Sequence, residues 1–272
     1  MNNSILLIGK PHSSKTVYLA QFYLRLQKKK GQLKLSRPVT NLTPIAPALA
    51  ALTNGKEPDP THSEQRVPFF LPITNGETEF ELLCPEYGGE QINNIIRTRE
   101  LDKQWIDAVD ESDNWLFFIR LNGINKAQDI ADIIPNEANV TGQQSNEYGI
   151  SDQVAFIELL QILLYQKNND YHFRNRKVKL TLALTCWDEL ETIKKPHSQF
   201  KGELPLLYAF IEANWHKESW QVFGLSALEF SLKEPDNREK YAVLGPESFG
   251  YLVLEDGDTT KDITQLIAKA IQ

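Results

Sequence analysis

Short apolar runs alternate with longer amphipathic stretches along this 272-residue chain. The runs at residues 4–8, 67–73, 80–84, 115–121, 178–185 and 220–226 read as strands. Helical spacing of apolar residues marks 15–29, 91–110, 152–166, 204–216 and 260–271, and a short helix is predicted at 46–52. In the first of these, Val17, Leu19, Ala20, Tyr23, Leu24 and Leu26 make a stripe broad enough for a helix buried beneath a sheet. Alternation of this kind predicts an α/β fold, with a mostly parallel central sheet and helices on both faces. Three stretches interrupt the pattern and read as long insertions or mobile connections. Residues 32–65 carry five prolines, 122–151 are rich in Asn, Gln and Gly, and 232–251 are polar with a Gly-Pro break. No repeat and no sharp boundary divides the chain, so residues 1–272 are expected to form one domain.

Composition narrows the class. The 41% apolar and 24% charged content is ordinary for a soluble globular chain, and a formal net charge of -7 argues against a general polyanion-binding surface. Nucleic acid is therefore not the expected partner. Cys84 and Cys186 are far apart and show neither disulfide nor metal-ligand spacing, which suits a reducing cytosol. No apolar run approaches the roughly 20 residues needed to cross a bilayer, and Met1-Asn2-Asn3-Ser4 lacks the charged start of a secretory signal. A cytoplasmic location without a membrane span is expected.

The chemistry begins at Gly9-Lys10-Pro11-His12-Ser13-Ser14-Lys15-Thr16, directly after the apolar run Ile5-Leu6-Leu7-Ile8. This stretch fits the phosphate-binding pattern G-x-x-x-x-G-K-[ST] at every defined position except one, where Ser14 replaces the second glycine. A strand turning sharply into a helix presents backbone N–H groups and the positive helix end to a phosphate. Ser14 adds a Cβ where the backbone should approach the phosphate closely, and Pro11 removes one donor. Lys10 and His12 read most simply as solvated loop residues.

Four further segments follow in order. They are the proline-bearing stretch from Gly55 to Thr61, Pro85-Glu86-Tyr87-Gly88-Gly89-Glu90 after the strand at 80–84, Thr185-Cys186-Trp187-Asp188 after the strand at 178–185, and Ser226-Ala227-Leu228 at the end of the strand at 220–226. Each falls at a strand end, where parallel sheets bind ligands. Taken alone, Asp188 reads as a helix N-cap, Glu90 as a first-turn glutamate, Trp187 as packing and Thr61 as a polar loop residue.

Together with the phosphate loop, these segments resemble the Ras-like, translation-factor-related GTPases over nearly the whole chain. The likeness is closest to the bacterial double-GTPase-type domains of conflict and defence systems, whose ending the stretch Gly250-Tyr251-Leu252-Val253-Leu254-Glu255-Asp256-Gly257 is similar to. The resemblance implies a three-layer P-loop NTPase fold, with GTP or GDP and Mg²⁺ as cofactors. It implies that Gly9, His12, Ser13 and Ser14 cradle the phosphates, and that Lys15 neutralises the β- and γ-phosphate charge. Thr16 and Thr61 would meet Mg²⁺, with Thr40, Thr43 and Thr53 as competitors for the second place. Glu86 would hold the metal through water, Gly89 would sense the γ-phosphate, and Glu90 would orient water or act as base. Thr185 and Asp188 would select guanine, framed by Ser226, Ala227 and Leu228.

Four departures accumulate: Ser14 for Gly, Glu86 for Asp, Cys186 for Lys and Leu228 for Lys. Two functional readings follow from them. One is a guanine-nucleotide switch with slow or partner-stimulated hydrolysis, read by a protein partner in a larger complex. The other is a degenerate pseudo-GTPase acting as an interaction subunit. An ATPase or small-molecule kinase would need a base site unlike Thr185–Asp188.

Overall fold

The computed structural model describes residues 3–59, 68–85, 90–125, 150–167, 174–190 and 192–272, Glu90 by its backbone alone. The strands are β1 (Ser4–Gly9), β2 (Lys34–Leu35), β3 (Phe69–Thr74), β4 (Glu79–Cys84), β5 (Asn114–Arg120), β6 (Lys179–Thr185), β7 (Trp220–Ser226), β8 (Tyr251–Val253) and β9 (Thr259–Thr260). The helices are α1 (Lys15–Gln27), α2 (Ala46–Thr53), α3 (Glu90–Thr98), α4 (Lys103–Glu111), α5 (Asp152–Gln166), α6 (Pro196–Glu203), α7 (Pro205–Asn214), α8 (Pro235–Leu244) and α9 (Gln265–Ala270).

The nine strands among the described residues join one sheet in the order β2-β3-β4-β1-β5-β6-β7-β8-β9. Its centre, β4-β1-β5-β6-β7, is parallel, whereas the outer pairings β2–β3, β3–β4, β7–β8 and β8–β9 are antiparallel, so that β3 and β8 run against the rest. The continuous apolar runs follow from burial on both faces. Along β1, Leu6 and Ile8 enter one core and Ile5 and Leu7 the opposite one; along β5, Trp115, Phe117 and Ile119 alternate in the same way with Leu116 and Phe118. Residues of α3, α4, α5 and α7 cover the first face, and residues of α1 and α9 the second, which makes three layers. Each such side chain, fully buried, contributes about 1.5–3 kcal/mol.

Several predicted boundaries shift. The helix expected at 91–110 is two, α3 and α4, because Arg99 turns left-handed (φ 58) and Asp102 caps a fresh N-terminus by accepting a 2.9 Å hydrogen bond from the Trp105 N–H. Both helices send apolar residues to the same core, so the apolar pattern runs on across the break. The helix expected at 204–216 is α7, and α6 precedes it; each opens on proline, which suits a first helical turn. The strand expected at 67–73 is Phe69–Thr74, with its antiparallel pairing to β4 extending the sheet beyond its parallel core. The helix expected at 260–271 begins later, since Thr259–Thr260 form β9.

The stretch 232–251 is not a loose connection. It contains α8, which ends at Gly245 (φ 80), and its Leu232, Tyr241 and Phe249 make a third core with Ala20, Ala48 and Leu52 of α1 and α2. Buried polar groups fasten it. Arg25 donates to Gln21 Oε1 (3.1 Å) and to the Phe249 carbonyl, and Gln21 donates to Tyr241 Oη (3.3 Å). Burial lowers the Arg25 guanidinium pKa, while the Asp262 carboxylate raises it in part. The short helix predicted at 46–52 is α2. No helix among the described residues is long and apolar enough to cross a membrane.

Candidate nucleotide-binding site

Because β1, β5, β6 and β7 are parallel, their carboxyl ends open on one edge of the sheet. The loops after β1, β6 and β7 carry Gly9–Thr16, Thr185–Asp188 and Ser226–Leu228, and Arg120 ends the strand between the first two.

The phosphate loop is tightly wound. A Cβ on Gly9 would lie 2.6 Å from Ser13 Oγ and 3.2 Å from Phe118 Cβ, so a side chain there would displace the Ser13 hydroxyl and crowd β5. The Ser13 N–H donates to the Lys10 carbonyl (3.3 Å), and the Tyr18 N–H to that of Ser14 (3.0 Å), which starts α1. His12 and Ser14 both adopt left-handed backbone, φ 62 and 61. Ser14 thus keeps the conformation natural to the glycine it replaces, at a cost of roughly 1–2 kcal/mol. Lys15 is buried, Thr16 half-buried and His12 exposed. Lys10 is not a free solvated lysine: its ammonium donates to Asp152 Oδ1 at 2.6 Å and lies 5.5 Å from the Phe156 ring centre. Asp152, in the first turn of α5, also accepts from the Asn125 N–H (2.9 Å). A cavity of about 420 Å³ lies against this loop, bordered by Lys10, His12, Ser13, Asn93, Arg120 and Asn122 among others.

The loop after β6 is held on two sides. Cys186, also left-handed (φ 53), is the cap residue of a 3-10 turn at Trp187–Glu189, so Asp188 does not serve as the N-cap. Trp187 is buried against Gly224 of β7, where an added Cβ would lie 2.5 Å from its ring, and the packing role expected for it holds. Glu189 accepts three hydrogen bonds from Arg120, at 2.6, 2.7 and 3.1 Å, and one from Asn122 Nδ2 at 3.1 Å. Asp188 between them is exposed and makes no hydrogen bond with the described residues. Burial, then the Glu189 charge, push the Cys186 thiol up to about 11, against partial relief from Arg120 and a hydrogen bond with Ser14. Cys186 is accordingly a neutral thiol at neutral pH, and Ser14, another of the departures from the motif, is among the groups that act on it. Ser13 Oγ and Thr185 Oγ1 are buried with no hydrogen-bond partner among the described residues.

After β7, the buried Ser226 hydroxyl accepts from the Glu229 N–H (2.8 Å), and the Leu228 carbonyl accepts from Tyr241 Oη (2.6 Å). Gly250 (φ 97) leaves room beneath: a Cβ there would lie 2.8 Å from the Ala227 carbonyl oxygen. Desolvation raises the Tyr241 and Tyr251 hydroxyl pKa values, and the Asp188 and Glu229 charges add to the effect.

Gly9, His12, Ser13, Ser14, Lys15, Thr16, Thr185, Asp188, Ser226, Ala227 and Leu228 therefore gather at one sheet edge. Thr61, Glu86 and Gly89 lie outside the described residues, as does the side chain of Glu90. Among the competitors for the Thr61 place, the Thr53 hydroxyl donates to Leu49 of its own helix (2.8 Å). No cluster of three or more His, Cys, Asp or Glu suited to a metal occurs among the described residues. Sequence reasoning missed Arg120, Glu189 and Asp152. The available signal was a charged residue, Arg120, closing the apolar run Trp115–Ile119.

Comparison with solved structures finds similar chains at low identity. The Arl6 BBS3 small GTPase from Trypanosoma brucei, with bound GppNp, is 11% identical with a TM-score of 0.40, covering 89% of this chain and 94% of its own. The signal recognition particle receptor SRb-GTP/SRX complex from Chaetomium thermophilum gives 13%, 0.38, 90% and 98%. The S. cerevisiae Ski7 GTPase-like domain, bound to GTP, gives 13%, 0.42, 87% and 45%. No curated protein sequence matches the chain. The family model described as Double-GTPase 1 matches residues 6–270, and the chain belongs to that family.

Proposed function

We propose that the chain, acting as a single domain, binds a guanine nucleoside triphosphate with Mg²⁺ along the edge formed by the ends of β1, β6 and β7. The observation that carries this reading is the meeting of three loops there: a left-handed phosphate loop, an Asp188 carboxylate free of internal bonds, and the Ser226–Leu228 turn. Membership of a GTPase-type family supports it. The chemistry fits a polyphosphate. His12 and Ser14 hold the left-handed backbone that suits an anion-binding turn, buried Lys15 supplies positive charge, and the buried hydroxyls of Ser13 and Thr185 have no partner among the described residues. A buried hydroxyl left unbonded costs about 1–3 kcal/mol, which a ligand oxygen or amine would recover.

In this reading Thr16 would bind Mg²⁺, Asp188 would accept from the N1–H and N2–H₂ edge of guanine, and Ser226–Leu228 would frame the base. Thr61, Glu86, Gly89 and Glu90 would complete the γ-phosphate end. Nucleotide would order those segments, slow or partner-stimulated hydrolysis would release them, and a protein partner would read the change. A net charge of -7 disfavours nucleic acid as that partner. Isothermal titration of GTP, GDP and ATP into wild type and Lys15→Ala tests the reading. Magnesium-dependent GTP binding that the variant loses is expected, and no binding of any nucleotide by wild type would defeat it.

A pseudo-GTPase is the second reading. It is favoured by the Lys10–Asp152 pair, which holds a loop cation away from ligand, and by Pro11, which removes an N–H donor. Guanine nucleotide released on denaturing the purified protein counts against its non-binding form.

A further inference from the structure

We infer that Arg120 and Glu189 form a clamp that positions Asp188 for guanine, taking over the support lost where Cys186 stands in place of lysine. The inference rests on the site proposed above and adds the residues that set its base selectivity.

The geometry is specific. Arg120 is the last residue of β5 and pairs in register with Thr185, the last of β6. It stands between the phosphate loop and the loop after β6. Its guanidinium engages both oxygens of Glu189, and Asn122, two residues on, reaches the same carboxylate. A two-pronged guanidinium–carboxylate contact fixes orientation as well as distance. On the other flank Trp187 is wedged against Gly224 of β7. The two neighbours of Asp188 are thus tied to different strands, and Asp188 alone in the turn presents a free carboxylate to solvent.

A lone exposed aspartate rotates among several conformers, and holding one of them in advance lowers the ordering cost of binding. Cys186 cannot supply that support. It is a small side chain with neither the aliphatic stem nor the ammonium of a lysine. Arg120, which also borders the cavity beside the phosphate loop, and Glu189 act in this inference through Asp188, as positioning residues. Both side chains are about one-third exposed, at 37% and 32%, and an ion pair at that exposure contributes little to stability. Removing it should leave the fold intact.

The test is titration of GTP, ITP and ATP, each with Mg²⁺, into wild type, Asp188→Ala, Arg120→Gln, Glu189→Gln and the exchanged pair Arg120→Glu/Glu189→Arg. Loss of a hydrogen bond to a charged group corresponds to roughly ten-fold or more in affinity. Arg120→Gln and Glu189→Gln are therefore expected to lower GTP affinity about ten-fold while ATP, which shares the phosphates but not the guanine edge, changes less than about two-fold. ITP, lacking the N2 amine, should lose less than GTP, and the exchanged pair should regain most of the GTP preference.

If wild type binds no nucleotide, the site reading falls and takes this inference with it. If wild type prefers GTP and Asp188→Ala abolishes that preference, yet Arg120→Gln and Glu189→Gln retain it, the clamp alone is wrong. Equal losses for GTP and ATP with a lowered melting temperature would mark a general structural role and overturn the inference too.

Discussion

Gly224→Ala probes the other flank of the same turn. The added methyl carbon would sit 2.5 Å from Cδ2 and Cε3 of the Trp187 ring and 3.1 Å from Cε2. Carbon atoms settle at about 3.5–4.0 Å, so the ring must retreat by about 1 Å. It has little space to do so, because Trp187 is 6% exposed and shares its core with Leu184, Val222 and Val253. Forcing an extra methyl into such packing costs about 1–3 kcal/mol. For a chain of this size each kcal/mol lowers the melting temperature by about 2–4 °C, so a fall of roughly 2–12 °C is expected in a thermal melt followed by circular dichroism. Trp187 is bonded to both Cys186 and Asp188, and its displacement should also cut the GTP-over-ATP preference proposed for this site, as read by titration. Pairing the change with Trp187→Val removes the ring atoms that collide, so the two changes together should cost less than the sum of the two made singly. A Gly224→Ala protein with an unchanged melt and unchanged nucleotide preference would refute the claim that this ring is wedged against β7.

The remaining expectations concern other contacts. Ser14→Val places a β-branched residue at φ 61 and should destabilise by about 1–3 kcal/mol in urea unfolding; no change would mean the loop is not held left-handed. Cys186 titrates upward in the fold, from an ordinary 9.0 to about 11, so the folded state holds the proton longer than the unfolded state does. Its stabilising effect is complete below about pH 9 and is lost as pH rises toward about 11, and its alkylation rate should still be climbing above pH 9; a plateau there would count against the burial argument. Arg25→Ala strands the Phe249 carbonyl and Gln21 inside the third core, and about 2–4 kcal/mol of destabilisation is expected from chemical unfolding, with a neutral result showing that the network is dispensable.

What the sequence made legible was local. Ile5-Leu6-Leu7-Ile8 running into Gly9 and Lys15-Thr16 announces strand, turn and helix within a dozen positions, and a continuous apolar run such as Trp115–Ile119 demands cover on both faces. Where the fold departed from expectation, the cause was tertiary. Leu232, Tyr241 and Phe249 are too widely spaced to show helical or strand periodicity, yet α1 and α2 supply the surface that orders them. Arg99 ends α3 through a single left-handed residue that leaves the apolar pattern undisturbed. Arg120 and Glu189 are 69 positions apart and meet only because β5 and β6 lie side by side. The same holds for Ser14 and Cys186. Along the chain they count as two separate losses, of a glycine and of a lysine. In the fold they lie on the phosphate loop and on the loop after β6, both in left-handed backbone, with Ser14 among the groups that act on the Cys186 thiol. Departures placed in this way are expected to be coupled, so that the lysine restored at Cys186 alone, or the glycine at Ser14 alone, does not rebuild what the two together would. Only the pair Ser14→Gly/Cys186→Lys, compared with each single change in a double-mutant cycle, separates a decayed site from one that has been rewired, since independent losses give additive effects and a rewired contact does not.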